Sequence, residues 1–395
     1  MKNSILVAVI TILFLSCSKE TIDPESSFFK IYDTEQSDAS FRPIDIVQTT
    51  QGLIVLAEQE IDNSNFMGAQ VLQMDSQGDF LIESSIPGDH ITPVGEFVSI
   101  DSVYYFFTMN PNTFAAQLVR MGNDPSAGET ISLSNGLQYP LAANRTVNGN
   151  LMLLSYNAQS MQTVLSILDI DGNLIQSTGY TIGAGNDVED IIIRHFEDPE
   201  RYALPFFCGT IGIDSYYFNG FYNFSLSLVF TDLSATPSGV VQGQSDNGGI
   251  SHAMPLSTNT FTLFGFQYND NFIQPVQEIN TNEINSSIDY LTLPFSEFIS
   301  RTPAVIRAYS LNGTIYSIVA AESQSRSVLL YFYNVNTGLL EGIYTIGHLN
   351  PYTLGSIKVD AENNLIVLGT TLVSSRLSRI FVNKLSENEI AAILN

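Results

Sequence analysis

Short apolar runs alternate with polar turns along this chain, and one succession recurs. It runs as a short strand, a Gly- or Asn-bearing turn, a strongly apolar strand, a variable loop, a second apolar strand, a D-x-x-G-like turn and a closing strand. One copy spans Ile44 to Gly52, Leu53 to Ala57, Ala69 to Met74, Asp75-Ser76-Gln77-Gly78 and Phe80 to Ile86. Others begin at Asn148-Gly149-Asn150, at Asn312-Gly313 and at Glu362-Asn363-Asn364. Gly and Asn accept the positive φ that tight hairpins require. The β-branched and aromatic runs between them predict strands buried on at least one face. Four such strands form a small antiparallel sheet that cannot bury both faces alone, so the copies must stack.

The period sets the architecture. Pro43, Pro93, Pro140 and Pro303 each sit just ahead of an inner-strand candidate, and Pro is tolerated at a strand's first residue. The steps are 50 and 47 positions, then 163, or about 54 for each of three units. The chain from Pro43 to Asn395 gives about 50 residues for each of seven units, against about 59 for six and about 44 for eight. Propeller blades take ~40–50 residues. The expectation is an all-β, seven-bladed β-propeller over 27–395, with blades near 42–88, 89–136, 137–186, 187–247, 248–298, 299–348 and 349–395. Six or eight blades, a β-solenoid or a pair of sandwiches are the alternatives. The last blade lacks a convincing fourth strand. Phe28 to Tyr32 reads as an orphan strand that pairs with that blade and closes the ring, removing exposed edges. No amphipathic helical stretch of real length is legible after residue 17.

The first residues follow another plan. Lys2 precedes an apolar run from Ile5 to Leu15, interrupted at Thr11. That run is shorter than the ~20 residues a membrane span needs and has the layout of a secretory signal. It ends in Phe14-Leu15-Ser16-Cys17, which resembles the bacterial lipobox. The resemblance implies cleavage after residue 16, a signal peptide at 1–16 and acylation of Cys17, with palmitate among the chains. Two or three chains, at ~0.8 kcal/mol per buried CH₂, anchor stably where one does not. Residues 17–26 are polar, contain Pro24 and read as a lipidated tether. Ser18 stands where an Asp would resemble an inner-membrane retention signal, so the expected site is the outer membrane. Lys19-Glu20, with Asp23 and Glu25, resembles the charged tag of surface-exported lipoproteins in Bacteroidota, although that tag usually carries more consecutive acids. The cell surface is favoured over the periplasmic face.

The repeats carry a second resemblance. Asp75-Ser76-Gln77-Gly78-Asp79-Phe80-Leu81 and Leu168 to Ile175 are similar to the "KLDSNGNLLW" module of bacterial propeller repeats. Thr181 to Asp187 is similar to the "GGSGND" that follows it, and Ile46 to Val55 to its "IIQTSDGGYIIAG". The pattern is degenerate in the second, fourth and fifth units, and the family's frequent Trp is absent from this chain. The resemblance implies a propeller outside the cytoplasm and no particular activity.

Charge narrows the partners. Fifteen basic residues stand against 40 acidic ones, a net charge of −25. Nucleic acid and anionic membrane surfaces need a basic footprint and are excluded. With Cys17 as lipid site, Cys208 is left alone in an apolar stretch, as a buried, inert thiol. No H-E-x-x-H, C-x-x-C, G-x-S-x-G or phosphate-loop motif is present, and no cofactor or metal is expected. Asp169-x-Asp171-Gly172 suits a hairpin turn better than a calcium loop, because the terminal Glu is missing.

Candidate ligand-binding residues follow from the blade map. Asp214 to Phe224 is read as a loop between the second and third strands of blade four, with Tyr216, Tyr217, Phe221 and Tyr222 exposed for stacking. Tyr268 and Phe272 are read in the matching loop of blade five. His90 and His348 fall in loops leading into new blades, on the same face. The plain alternative is that the aromatics are local core and the histidines solvated. The functional expectation is a non-catalytic module binding a protein or glycan at the envelope. An extracytoplasmic glycan hydrolase or lyase with acids at the channel mouth, or a structural envelope component, are the alternatives.

Overall fold

The computed structural model describes residues 27–32, 40–86, 89–133, 136–183, 188–198, 203–244, 248–290, 292–347, 349–373 and 377–395. Cys17, the leader and tether, and His348 lie outside these residues.

After β1 (Phe28–Tyr32), the chain runs through successive antiparallel meanders. The first is β2 (Phe41–Thr49), β3 (Gly52–Gln59), β4 (Gly68–Met74) and β5 (Phe80–Ser85). The second is β6 (Ile91–Ile100), β7 (Val103–Met109), β8 (Ala116–Met121) and β9 (Glu129–Ser132). The third is β10 (Pro140–Arg145), β11 (Leu151–Asn157), β12 (Gln162–Leu168) and β13 (Leu174–Thr181). The fourth is β14 (Phe207–Thr210), β15 (Tyr216–Tyr222), β16 (Ser225–Thr231) and β17 (Gly239–Gln242). The fifth is β18 (Gly248–Pro255), β19 (Thr260–Gln267) and β20 (Asp270–Glu278). Its short follower β21 (Ile284–Ser286) crosses to pair in parallel with β17. The sixth is β22 (Ala304–Leu311), β23 (Thr314–Glu322), β24 (Val328–Asn334) and β25 (Leu340–Ile346). The last is β26 (Tyr352–Val359), β27 (Leu365–Val373) and β28 (Leu377–Leu385).

These strands make six hydrogen-bonded sheets, the first two meanders sharing one through the single pair Gly68–Ile91. Inner strands β2, β6, β10 and β14 pack in succession, as do β18, β22 and β26, and β26 returns against β2. Between the fourth and fifth meanders, Tyr217 Oη donates to Ala253 O (3.4 Å) and Asn219 Nδ2 to Ile250 O (2.9 Å). The sheets therefore stand in a propeller-like ring. β1 lies antiparallel to β28, from Phe28 opposite Lys384 to Tyr32 opposite Ile380, and is the fourth strand of the last sheet.

The local chemistry explains the repeats. Second strands such as β3 and β11 are buried almost throughout because sheets cover both faces. Fourth strands such as β5 and β13 are largely solvent-facing. In the D-x-x-G turns the aspartate is a backbone acceptor. Asp75 Oδ1 takes the amides of Gln77 (2.9 Å) and Asp79 (2.7 Å), and Asp169 Oδ1 those of Asp171 (2.9 Å) and Asn173 (2.8 Å). Gly78 at φ +75° and Gly172 at φ +79° complete the turns.

Two short helices accompany the strands among the described residues. α1 (Glu189–Glu197) and α2 (Glu387–Ile393) are each too short for sequence periodicity to stand out. α1 places Glu189 and Asp190 in its first turn and Arg194 and His195 in its last, complementing its dipole, and buries Ile192 and Phe196 one turn apart. α2 starts with a capping box between Ser386 and Glu389. No described helix is long and apolar enough to cross a membrane.

Candidate functional site

The inner strands bring rare charges to the axis of the ring. Glu96 on β6 forms an ion pair with Arg307 on β22, almost opposite in the ring, and with Lys358 on β26 (3.1 Å). Lys358 also pairs with Asp45 on β2 (3.1 Å). Asp45 is only 1% exposed; it also accepts the Phe97 amide (2.8 Å) and the Ser356 hydroxyl (2.8 Å). Burial pushes the Glu96 carboxyl up, but Arg307 and Lys358 outweigh it and hold it down at about 2. His252 on β18 stacks on Phe207 at 5.2 Å. Burial, helped by Arg307 and opposed by Glu96, lowers His252 to about 3, so it is neutral near pH 7. Cys208 on β14 is buried, and burial together with Glu96 raises its thiol well above its ordinary range.

One mouth of this axis carries α1. In a meander whose first strand starts at one face, the loop between second and third strands and the link to the next meander share that face. α1 belongs to the link between β13 and β14. Its Glu189 accepts from Tyr139, and its Glu197 accepts from Asn65 Nδ2 (3.2 Å) in the β3–β4 loop. The helix thus reaches from the third and fourth meanders to the first. His195 Nδ1 accepts the Leu204 amide (2.9 Å). Burial and nearby Arg42 lower His195 to about 3.

The expected site residues fall elsewhere. Asp214 to Phe224 is not a loop: Tyr216–Tyr222 is β15, the second strand of the fourth meander. Tyr216, Tyr217 and Phe221 are buried, because alternate residues of β15 face sheets on both sides; Tyr222 is half-buried against the same core. The extra length of this unit lies instead in the link that carries α1. Phe272 is also buried, within β20. His90 is neither solvated nor placed as a ligand: it is buried, with Nδ1 against Thr108 Oγ1 (2.7 Å) and Nε2 against Thr130 Oγ1 (2.9 Å). Tyr268 alone of the described candidates stands out from the surface, 63% exposed at the β19–β20 hairpin tip.

Sequence reasoning missed the axial charges. Their signal was a charge flanked by apolar residues in a first strand: Ile44-Asp45-Ile46, Ile306-Arg307-Ala308 and Ile357-Lys358-Val359.

A second place joins Tyr268. A cavity of about 680 Å³ opens between the hairpin tips of the fourth and fifth meanders, on the face that carries α1. Phe224 (57% exposed) and Tyr268 project at these tips, with Gln242 at the end of β17, Gln244 just after it and Asp289 beyond β21. Phe224 sits at φ +70° and Tyr268 at φ +55°, a region costing a non-glycine residue ~1–2 kcal/mol. Phe114, Met161 and Arg326 adopt positive φ at the equivalent hairpins, so the geometry belongs to the repeat. What differs is the side chain's fate: Phe114 turns inward and stacks on Tyr139 at 5.1 Å, whereas Phe224, its ring lying over Gly183, and Tyr268 both keep more than half of their surface exposed. Among the described residues, no group of three or more His, Cys, Asp or Glu is placed to hold a metal ion.

No protein-family model and no curated protein matches the chain. Among solved structures, the β-propeller domain of the Trilobed protease from Pyrococcus furiosus is similar at 10% identity, over 88% of this chain and 95% of that one, with a TM-score of 0.49. The Dos1 propeller is similar at 10% identity, over 88% and 93%, with a TM-score of 0.48. The acylaminoacyl peptidase of Pyrococcus horikoshii is similar at 13% identity, over 87% of this chain and 51% of that one, with a TM-score of 0.47.

Proposed function

We propose that this chain is a non-catalytic binding module, a seven-bladed propeller anchored to the outer membrane through acyl chains on Cys17 and presenting its α1-bearing face to a partner at the cell surface. The seven-blade reading is supported by the succession of meanders, β1 completing the last. The anchor rests on the lipobox-like Phe14-Leu15-Ser16-Cys17 and the charged residues behind it.

One observation carries the binding reading: neighbouring hairpin tips hold two aromatic rings, Phe224 and Tyr268, in the open beside a polar groove. Exposed aromatics at a concave site are a common basis of recognition. The axial acids favour catalysis less. A general acid needs a pKa near the working pH, and Glu96 is held at about 2 by two cations.

The test uses the full chain in mild detergent. Immobilised wild type should retain envelope material that the Phe224→Gly/Tyr268→Gly variant releases. Soluble products appearing from that material with wild type would overturn the non-catalytic reading. In cells, Cys17→Ala should leave the membrane fraction and lose labelled palmitate; continued pelleting with label would overturn the anchor.

A further inference from the structure

The groove beside Phe224 and Tyr268 has a chemistry that selects among ligands. Its aromatic rings and the side chains of Ile284 (77% exposed) and Ile288 (45% exposed) offer apolar surface. Amides lie between them and are already oriented. Gln242 Nε2 donates to Asn223 O (2.9 Å), and Gln244 Nε2 donates to Ser286 Oγ (3.0 Å). Gln242 Oε1 also accepts from Asn223 Nδ2 (3.4 Å); an amide carries two N–H donors and an acceptor oxygen with two lone pairs, so both side chains retain hydrogen-bonding capacity. Side chains held before binding lose less entropy when a ligand arrives.

The charge of the groove is equally specific. No described lining residue is basic, and Asp289 contributes a carboxylate held by the Ser286 amide (3.0 Å). The chain around it carries a net charge of −25. A polyanion would meet a net negative chain and no basic lining residue, Arg301 beside the tip being already turned to Tyr268 O (3.3 Å) and the Phe266 ring, and a cationic ligand would find one acid. A ligand with C–H faces for the rings and hydroxyls for the amides fits every element. The cavity of about 680 Å³ lies within the ~300–1,000 Å³ typical of small-ligand sites.

We propose that this groove binds a neutral oligosaccharide, with a sugar face packed on Tyr268 and Phe224 and hydroxyls bonded to Gln242 and Gln244. The proposal rests on the binding-module reading and names its ligand class. Because Tyr268 is a surface position whose φ suits glycine, Tyr268→Gly should leave the fold intact, whereas Phe224→Gly also uncovers Gly183.

The experiment presents full-length protein in detergent to an array of neutral oligosaccharides (cello-, malto-, xylo- and manno-oligosaccharides), uronate oligosaccharides and envelope proteins. Isothermal titration then measures the hits. The expected result is binding to neutral members, weakened at least about tenfold by Tyr268→Gly and by Gln244→Ala, with thermal midpoints unchanged; tenfold corresponds to ~1.4 kcal/mol. Binding confined to uronates, or neutral-glycan binding indifferent to both variants, overturns the proposal. Binding to envelope proteins alone, lost on Tyr268→Gly, overturns the glycan class and leaves the binding module standing. Failure to bind any member overturns both.

Discussion

At the scale of single residues, two half-buried histidines tie stability to pH. His195 and His252 are both held near 3, against an ordinary value of 6.5. The unfolded chain therefore binds protons that the folded chain refuses. Their contribution is complete above pH 6.5 and is lost progressively as pH falls toward 3. For His195 the cost has a visible site: protonated Nδ1 cannot accept the Leu204 amide, and Arg42 lies nearby. For His252, Arg307 opposes the added charge and Glu96 partly offsets it. The Glu96 carboxylate acts in a lower window, between the ordinary Glu range near 4.5 and about 2. A melt series from pH 7 to 5 thus isolates the histidines. Wild type should lose thermal midpoint across it, and His195→Gln/His252→Gln should show a flatter profile whatever its absolute stability. Parallel profiles would rule out this account.

At the scale of elements, strands and their order were legible, because apolar runs bounded by Gly, Asn and Asp report hairpins directly. Phe28 to Tyr32 read as an orphan strand from sequence and lies beside β28 in the ring. What was not legible was which aromatics face inward. A strand of a stacked sheet is buried on both faces, so Tyr216 to Tyr222 lacks the alternation that marks a half-exposed strand, and its density of rings looked like a binding loop. α1 hid for the opposite reason: nine residues give too few turns to establish a period. The groove was half visible, since Tyr268 is apparent in sequence, but β21's crossing to β17 is a tertiary fact. β1 also supports a prediction. Tyr32 is buried and donates to Gly78 O (2.8 Å), while Phe29 stacks on Phe381 at 5.6 Å. Deleting 28–32 exposes the edge of β28 and uncovers this packing. The thermal midpoint should fall steeply and aggregation should rise, whereas deleting 18–26 should leave the midpoint in place. Equal midpoints for the two deletions would remove β1 from any role in closing the ring.

At the scale of the whole molecule, the axial charges concentrate at the seam of the ring. Each meander leads to the next through the chain, the last one by way of β1, which is joined to β28 by backbone pairing alone and continues to β2. Side chains clasp the last and first meanders there. Lys358 pairs with Asp45, Ser356 donates to Asp45, and Gln48 accepts from the Ala361 amide (3.2 Å) and donates to Glu362 (2.7 Å). Lys358 also reaches Glu96, which Arg307 holds from the sixth meander, so the first, second, sixth and seventh units share one ionic lattice. Breaking a buried pair from one side leaves an uncompensated charge, at a cost of ~3–5 kcal/mol. Lys358→Met should approach that figure, because Asp45 is almost wholly buried. Glu96→Gln should cost less, since a third of its side chain is accessible. The sharper measurement is the double variant in urea, read with a common m-value. If the lattice acts as a unit, removing Glu96 relieves part of the imbalance left by Lys358→Met, and the two effects should depart from additivity by ~0.5–3 kcal/mol. Additivity within ~0.5 kcal/mol would mean that the pairs act independently, and that the seam is held by apolar packing and β1 instead.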